Sequence, residues 1–293
     1  MERFTKKQFD QQFPNDDACL EWLMRYQYPE RVDCPKCQKV AKYHRVTGRK
    51  VYECDYCRHQ ICPMVGTILE KSSTSLRDWF YAVFLMSNTR MGISAKTLER
   101  ELGVTYKTAW RMFTQIRKMM ASDNPSLFGQ VEVDETYIGG KRPGKRGRGA
   151  AGKTIAVGLV ERKGNAVVMI TNDVKARTLL PIIQEHIPIA GTTTIFTDEM
   201  PSYHRLSHLG FNHETVNHAA KEYVNGEAHT NNVDGLWSIV KNGITGANRH
   251  VSPQHMQGYL DAYVFRYNHR DDEQPMFWQV LNRIPSGRGE TPS

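Results

Sequence analysis

Two groups of side chains in this 293-residue chain have the types and spacing to do chemistry. The first is a set of thiols. Cys34-Pro35-Lys36-Cys37 and Cys54-Asp55-Tyr56-Cys57 are two CxxC pairs with sixteen residues between them. Two residues between thiolates let a tight turn present both sulfurs to one ion. Four such sulfurs complete a tetrahedral zinc site with no open position for a catalytic water. One structural Zn²⁺ is therefore expected. A redox CxxC would need only one pair, beside a βαβ pattern that this segment lacks. Cys19 and Cys62 are left over as core thiols, and His59 is not needed as a ligand. All six cysteines lie in the first quarter of the chain. That points to one local metal site in a reducing compartment rather than to a disulfide scaffold.

The second group is acidic. Asp134 sits in the alternating run Val131-Glu132-Val133-Asp134, and Asp198 ends the apolar run Thr194-Ile195-Phe196-Thr197. Asp234 follows His229-Thr230-Asn231-Asn232-Val233. From there Val233, Leu236, Trp237 and Val240 recur at i, i+3, i+4 and i+7, one helix face for a core. Asp234, Ser238 and Lys241 fall on a neighbouring polar face. Taken singly, each aspartate reads as a strand end or a helix cap. Together, two strands and one helix each offer a carboxylate. Three clustered carboxylates repel unless cations neutralise them, and hard oxygen ligands suit Mg²⁺ or Mn²⁺. Asn231 and Asn232 are further oxygen ligands close to the third position.

The elements that must position these groups follow from periodicity. Residues 1–30 read as a helical lead-in, with Asn15 capping a helix whose stripe is Cys19, Leu20, Leu23 and Met24. Residues 31–66 hold the cysteines with short strand-like runs. Residues 74–120 are strongly helical. Within them, helices starting near Ser94 and Thr105 flank Gly103, and Leu98, Leu102, Val104, Ala109 and Trp110 can fill the angle between them. This reads as a helix-turn-helix, which would turn Tyr106, Lys107, Thr108 and Arg111 toward DNA. From residue 128 to 284 strands and helices alternate as in a mixed α/β domain, with strands near 154–161, 166–171 and 192–197 and a helix near 175–187. Residues 285–293 read as a loose tail.

The formal net charge is +8, which favours a polyanionic partner. The run from Lys141 to Arg148 concentrates it: Lys141, Arg142, Lys145, Arg146 and Arg148 share a glycine-rich loop after the first long strand. No apolar stretch of eighteen or more residues exists and the first residues carry no signal-peptide core, so a cytoplasmic protein without a membrane partner is expected.

At this point the chain resembles a bacterial insertion-sequence transposase of the DDE type, in the zinc-ribbon group related to the eukaryotic Merlin elements. The resembling stretches are Cys34-Pro35-Lys36-Cys37, Gly66-Thr67-Ile68-Leu69, Gly92-Ile93-Ser94-Ala95, Lys107-Thr108-Ala109-Trp110, Val133-Asp134-Glu135-Thr136-Tyr137-Ile138-Gly139-Gly140-Lys141, Thr197-Asp198, His229-Thr230-Asn231, Trp237-Ser238-Ile239-Val240-Lys241 and Phe265-Arg266-Tyr267-Asn268. They run in family order over nearly the whole chain. The resemblance implies a multidomain α+β protein: a zinc ribbon, a helix-turn-helix, then an α/β RNase H-like catalytic domain with a mixed five-stranded sheet. Its acids would lie on the first strand, the fourth strand and a late helix. It carries the roles of catalytic residue and Mg²⁺ or Mn²⁺ ligand, with two ions, onto Asp134, Asp198 and Asp234. It places Lys241 and the basic loop near DNA. The family's third acid is commonly Glu, one methylene longer than Asp234. The implied activity is binding of terminal inverted repeats in double-stranded DNA, phosphodiester hydrolysis, and strand transfer into target DNA by a homodimer. The competing readings are a DNA-binding regulator of transposase origin and an RNase H-like structure-selective nuclease.

Overall fold

The structure, a computed structural model, describes residues 4–28, 32–121, 123–139, 153–189, 193–216, 229–248 and 251–284. The chain divides into two compact units. One comprises Met1–Asn88, Ala95–Met119 and Glu273–Ser293, the other Thr89–Ser94 and Met120–Asp272.

The first unit opens with α1 (Lys6–Gln12) and α2 (Asp16–Gln27). Each starts where a side chain replaces a missing helical acceptor. Thr5 and Gln8 form a reciprocal capping box, and Asn15 accepts from Ala18 N–H at 3.0 Å. The zinc-ribbon segment is built from strands too short to hold a core: β1 (Val32–Asp33), β2 (Val40–Ala41), β3 (Tyr43–Arg45), β4 (Tyr52–Cys54) and β5 (Gln60–Ile61). Its own buried cluster is only Cys34, Ala41 and Cys54, with Cys37, Tyr43 and Cys57 against it. Three helices follow, α3 (Leu76–Asn88), α4 (Ala95–Leu102) and α5 (Tyr106–Met119). Between α4 and α5, Gly103 takes φ +64°, the left-handed conformation that ends a helix without a Cβ penalty. Thr105 Oγ1 then caps α5 at Thr108 N–H, 3.4 Å away.

The second unit is a five-stranded mixed sheet made by β6 (Gln130–Ile138), β7 (Thr154–Glu161), β8 (Ala166–Thr171), β9 (Thr194–Asp198) and β10 (Asn212–Val216). The spatial order is β10-β9-β6-β7-β8. The first three strands form an antiparallel meander, while β9 and β10 run parallel to β6. Alternation along β6 divides the two faces. Val131 and Val133 pack with α6 (Ala176–His186) and the 3₁₀ turn at Pro201–Tyr203 in one core with Leu179, Ile183, Tyr203 and Leu206. The other face receives α7 (Asn231–Gly243) and α8 (Pro253–Asn268). The outer edge of β8 is closed by side-chain amides of α8. Gln257 bonds Ile170 N–H and Val168 C=O, and Asn268 bonds both N–H and C=O of Ala166, at 2.7–3.0 Å. An edge strand is thereby satisfied without another strand.

The sequence pattern carries the α/β domain through residue 284, a span that includes the last helix, α9 (Met276–Leu281). That helix packs instead in the first unit, where Phe277 meets Phe4, Phe9, Phe13 and Phe84. Aromatic pairing across a long sequence separation carries no local signal.

Candidate functional site

The thiol cluster is assembled as its spacing requires. Cys34 and Cys37 flank the turn after β1, Cys54 ends β4 and Cys57 closes the turn after it. The four sulfurs all lie within 4.8 Å of one another, with Cys34 to Cys57 at 3.6 Å and Cys37 to Cys54 at 3.9 Å. A Zn–S bond of about 2.3 Å sets tetrahedral edges at roughly 3.8 Å, so the donor set fits one zinc ion. The Cys34 thiol feels opposing influences. Burial pushes its pKa up, but hydrogen bonds from Tyr43, the Cys37 and Lys36 amides and Cys57 outweigh it and bring it down to about 5. Cys19 is fully buried in α2 and pushed up to about 12 by that burial, as an inert core thiol should be.

The acidic positions come together in the second unit. β6 and β9 are paired in parallel from Gln130↔Thr194 to Glu132↔Phe196, and the ladder between them ends there. Asp134 and Asp198 each lie two residues further on, on the same face as the last pair. They project where two parallel strands part, the kind of crevice in which open α/β sheets bind ligands. Helix α7 crosses that face, with Val233, Leu236, Trp237 and Val240 buried and Asp234, Ser238 and Lys241 exposed.

Each carboxylate has one oxygen held by a protein donor. Trp237 Nε1 donates to Asp134 Oδ2 at 2.9 Å, Met200 N–H to Asp198 Oδ1 at 3.0 Å, and Thr230 Oγ1 to Asp234 Oδ2 at 3.4 Å. Trp237 can reach Asp134 because the residue opposite Asp134 on β7 is Gly158. A Cβ there would stand 2.7 Å from the indole. The three acids share one electrostatic neighbourhood. The Asp134 carboxyl is pushed up to about 7, first by burial, then by the charges of Glu135, Asp234 and Asp198, against the Trp237 hydrogen bond. Such crowding of negative charge is relieved by a cation, and the donors are hard oxygens suited to Mg²⁺ or Mn²⁺. Among the described residues only the four cysteines converge tightly enough to share a single ion. A pair of ions about 3.5–4 Å apart spreads its ligands more widely.

Glu135 does point away from Asp134, accepting from the buried Tyr203 hydroxyl at 3.1 Å, yet its charge still acts on Asp134. Asn232, weighed as an alternative ligand, has its side-chain amide donated to Glu132 at 2.7 Å. Asn231 is exposed at the start of α7. On α5, Tyr106 and Lys107 are exposed, and Thr108 is half-buried and bonded to Thr105. Arg111 is exposed, but its guanidinium already donates to Glu70 C=O at 2.9 Å and lies over the Trp79 ring. Lys141, Arg142, Lys145, Arg146 and Arg148 lie outside the described residues.

Two residues escaped the sequence reading. Glu132 is fully buried and Arg162 nearly so, joined at 2.8 Å on the α7 side of the sheet. The available signal was an acid at an inward position of β6, in register with Asp134 by two.

Two family models match the chain. Residues 126–268 match the ISXO2-like transposase domain, and residues 14–60 match the transposase zinc-ribbon domain. The chain is 27% identical over 276 residues to a protein of Halobacterium salinarum described as an uncharacterized protein in transposable element ISH50, covering 87% of this chain and 91% of that one. It is also similar to a chain in the crystal structure of a pre-cleavage Mos1 transpososome, at 13% identity and a TM-score of 0.31, over 66% of this chain and 71% of the other. Among the described residues no helix is long and apolar enough to cross a membrane.

Proposed function

Since residues 126–268 belong to the ISXO2-like transposase domain family and residues 14–60 to the transposase zinc-ribbon family, we propose that this transposase cuts and joins DNA with Asp134, Asp198 and Asp234. The observation that carries the reading is the meeting of three carboxylates from β6, β9 and α7 where β6 and β9 part. Two Mg²⁺ or Mn²⁺ ions held by these aspartates would activate a water or a 3′ hydroxyl and stabilise the leaving oxygen. The chain's own part is orientation. Trp237, the Met200 amide and Thr230 each hold one carboxylate oxygen, so that the acids keep their geometry when DNA arrives. Lys241, on the exposed face of α7 with Asp234, meets the phosphate backbone. The zinc ribbon and the helix pair α4–α5, as a helix-turn-helix with Tyr106, Lys107, Thr108 and Arg111, bind the terminal inverted repeats, and the basic loop from Lys141 to Arg148 follows the phosphate backbone. Joining two ends requires two active sites, so a homodimer on double-stranded DNA is the working species.

The test is a cleavage and strand-joining assay with end-sequence DNA and Mg²⁺. Wild type should cut and join, and Asp134→Asn should bind the same DNA but do neither. Binding without cleavage by wild type would favour a DNA-binding regulator. Cleavage without joining or end preference would favour a structure-selective nuclease.

A further inference from the structure

A buried ion pair lies at the junction of the three elements that carry the aspartates. Glu132 is 0% exposed, a position that costs a carboxylate dearly unless every oxygen is satisfied. Here both are. Oε2 accepts from the backbone N–H groups of Asn232 at 2.8 Å and Val233 at 3.1 Å. Oε1 accepts from Asn232 Nδ2 at 2.7 Å and Arg162 Nε at 2.8 Å, and His229 Nδ1 stands 3.0 Å from it. The two amides belong to the first turn of α7, where helical N–H groups lack intrahelical partners and the dipole is positive. The N-cap residue, Thr230, makes no side-chain cap there, and its hydroxyl goes to Asp234. Glu132 supplies the cap from another strand.

Arg162 completes the junction. Its backbone N–H bonds Gln130 C=O on β6, and its Nη2 donates to His229 C=O just before α7. Its guanidinium lies 4.1 Å from the centre of the Phe196 ring on β9. Glu132, Phe196 and Asn232 each stand two residues before Asp134, Asp198 and Asp234 respectively. We infer that Glu132 and Arg162 form a brace that sets the position of α7 against β6 and β9, and with it the spacing of the third carboxylate for its metal ions. Glu132 is a positioning residue: it touches neither DNA nor ion. The inference rests on the proposed roles of the three aspartates.

Two measurements on the full zinc-loaded chain test it: Mn²⁺ affinity by electron paramagnetic resonance and hydrogen exchange of the α7 amides. Glu132→Gln keeps the size but removes the charge. It should bind Mn²⁺ roughly 10- to 100-fold more weakly, the range seen when supporting partners of metal ligands are lost. Exchange in the first turn of α7 should quicken about tenfold or more while β7 and β8 stay protected. Should that variant not fold because the buried Arg162 has lost its carboxylate, Glu132→Gln with Arg162→Met removes both charges and is judged by the same measurements. A folded variant with Mn²⁺ affinity and α7 exchange within about twofold of wild type overturns the brace. Asp134→Asn is the control for the underlying reading. If wild type binds no more Mn²⁺ than Asp134→Asn, the metal roles fail and the brace falls with them. If only Glu132→Gln is silent, the brace alone fails.

Discussion

Trp237 has two tasks that pull in the same direction. Its ring is 3% exposed and fills the α7–sheet interface, and its one N–H goes to Asp134. Phe at this position keeps most of the packing and loses the donor. A hydrogen bond to a charged group contributes about 1.5–3 kcal/mol, so Trp237→Phe should slow cleavage roughly 10- to 100-fold with little loss of DNA binding, as measured by single-turnover kinetics. Gly158→Ala approaches the same contact from the sheet. Its Cβ would press on the indole, and the overpacking should cost about 1–3 kcal/mol of stability, read from denaturant melts. The third acid offers a sharper comparison. Asp234→Asn should abolish cleavage and Asp234→Glu should retain part of it, whereas Asn231→Ala should be nearly silent. The opposite pattern would move the third ligand to Asn231. The placement of the three aspartates on two strands and a helix was legible from strand alternation and helical period. Trp237 was legible only as a core residue, because one side chain's periodicity cannot reveal a polar partner about a hundred residues away. Glu132 was hidden for the same reason, since its partners come from a loop after β7 and from the start of α7.

At the scale of elements, the secondary structure was legible wherever burial is periodic. The strands expected near 154–161 and 166–171 are β7 and β8, and the helix expected near 175–187 is α6. The pairing that makes β6 central was not legible, because strand order depends on which apolar faces meet rather than on local pattern. The zinc-ribbon segment shows the reverse balance: spacing says almost everything and packing little. Its buried cluster is so small that metal binding must supply most of its folding free energy. Purified protein should hold about one zinc, and chelation or Cys54→Ser should abolish β3–β5 chemical-shift dispersion while the sheet of the second unit persists. In α5 the exposed Lys107 is the cleaner probe of DNA contact, because Arg111 already serves Glu70. Lys107→Ala should weaken binding to all sequences alike and lower the salt slope by about one, in titrations at several salt concentrations.

At the scale of the whole molecule, the order of the chain is not the order of its packing. Residues 273–284 follow the α/β segment in sequence but complete the aromatic core of the first unit. Phe277 is 0% exposed and stacks on Phe4 with centroids 4.7 Å apart, while Phe9, Phe13 and Phe84 surround it at 6.0–6.2 Å. Tyr26 adds a hydrogen bond to Asn282 C=O. No local rule pairs residue 4 with residue 277, so the reading that carried the α/β domain through residue 284 followed the chain where the structure follows the rings. The consequence is thermodynamic. Truncating a buried Phe removes transfer energy and leaves a cavity, about 3–5 kcal/mol in all. Because α9 packs with α3 and α5, that loss falls on the first unit. Phe277→Ala should therefore lower the melting transition of the first unit and weaken end-DNA binding. Hydrogen exchange in β6–β9 and Mn²⁺ binding at the aspartates should be unchanged. A uniform loss of protection across both units would mean that they unfold as one cooperative body, and the separate core built on Phe277 would then be the wrong description.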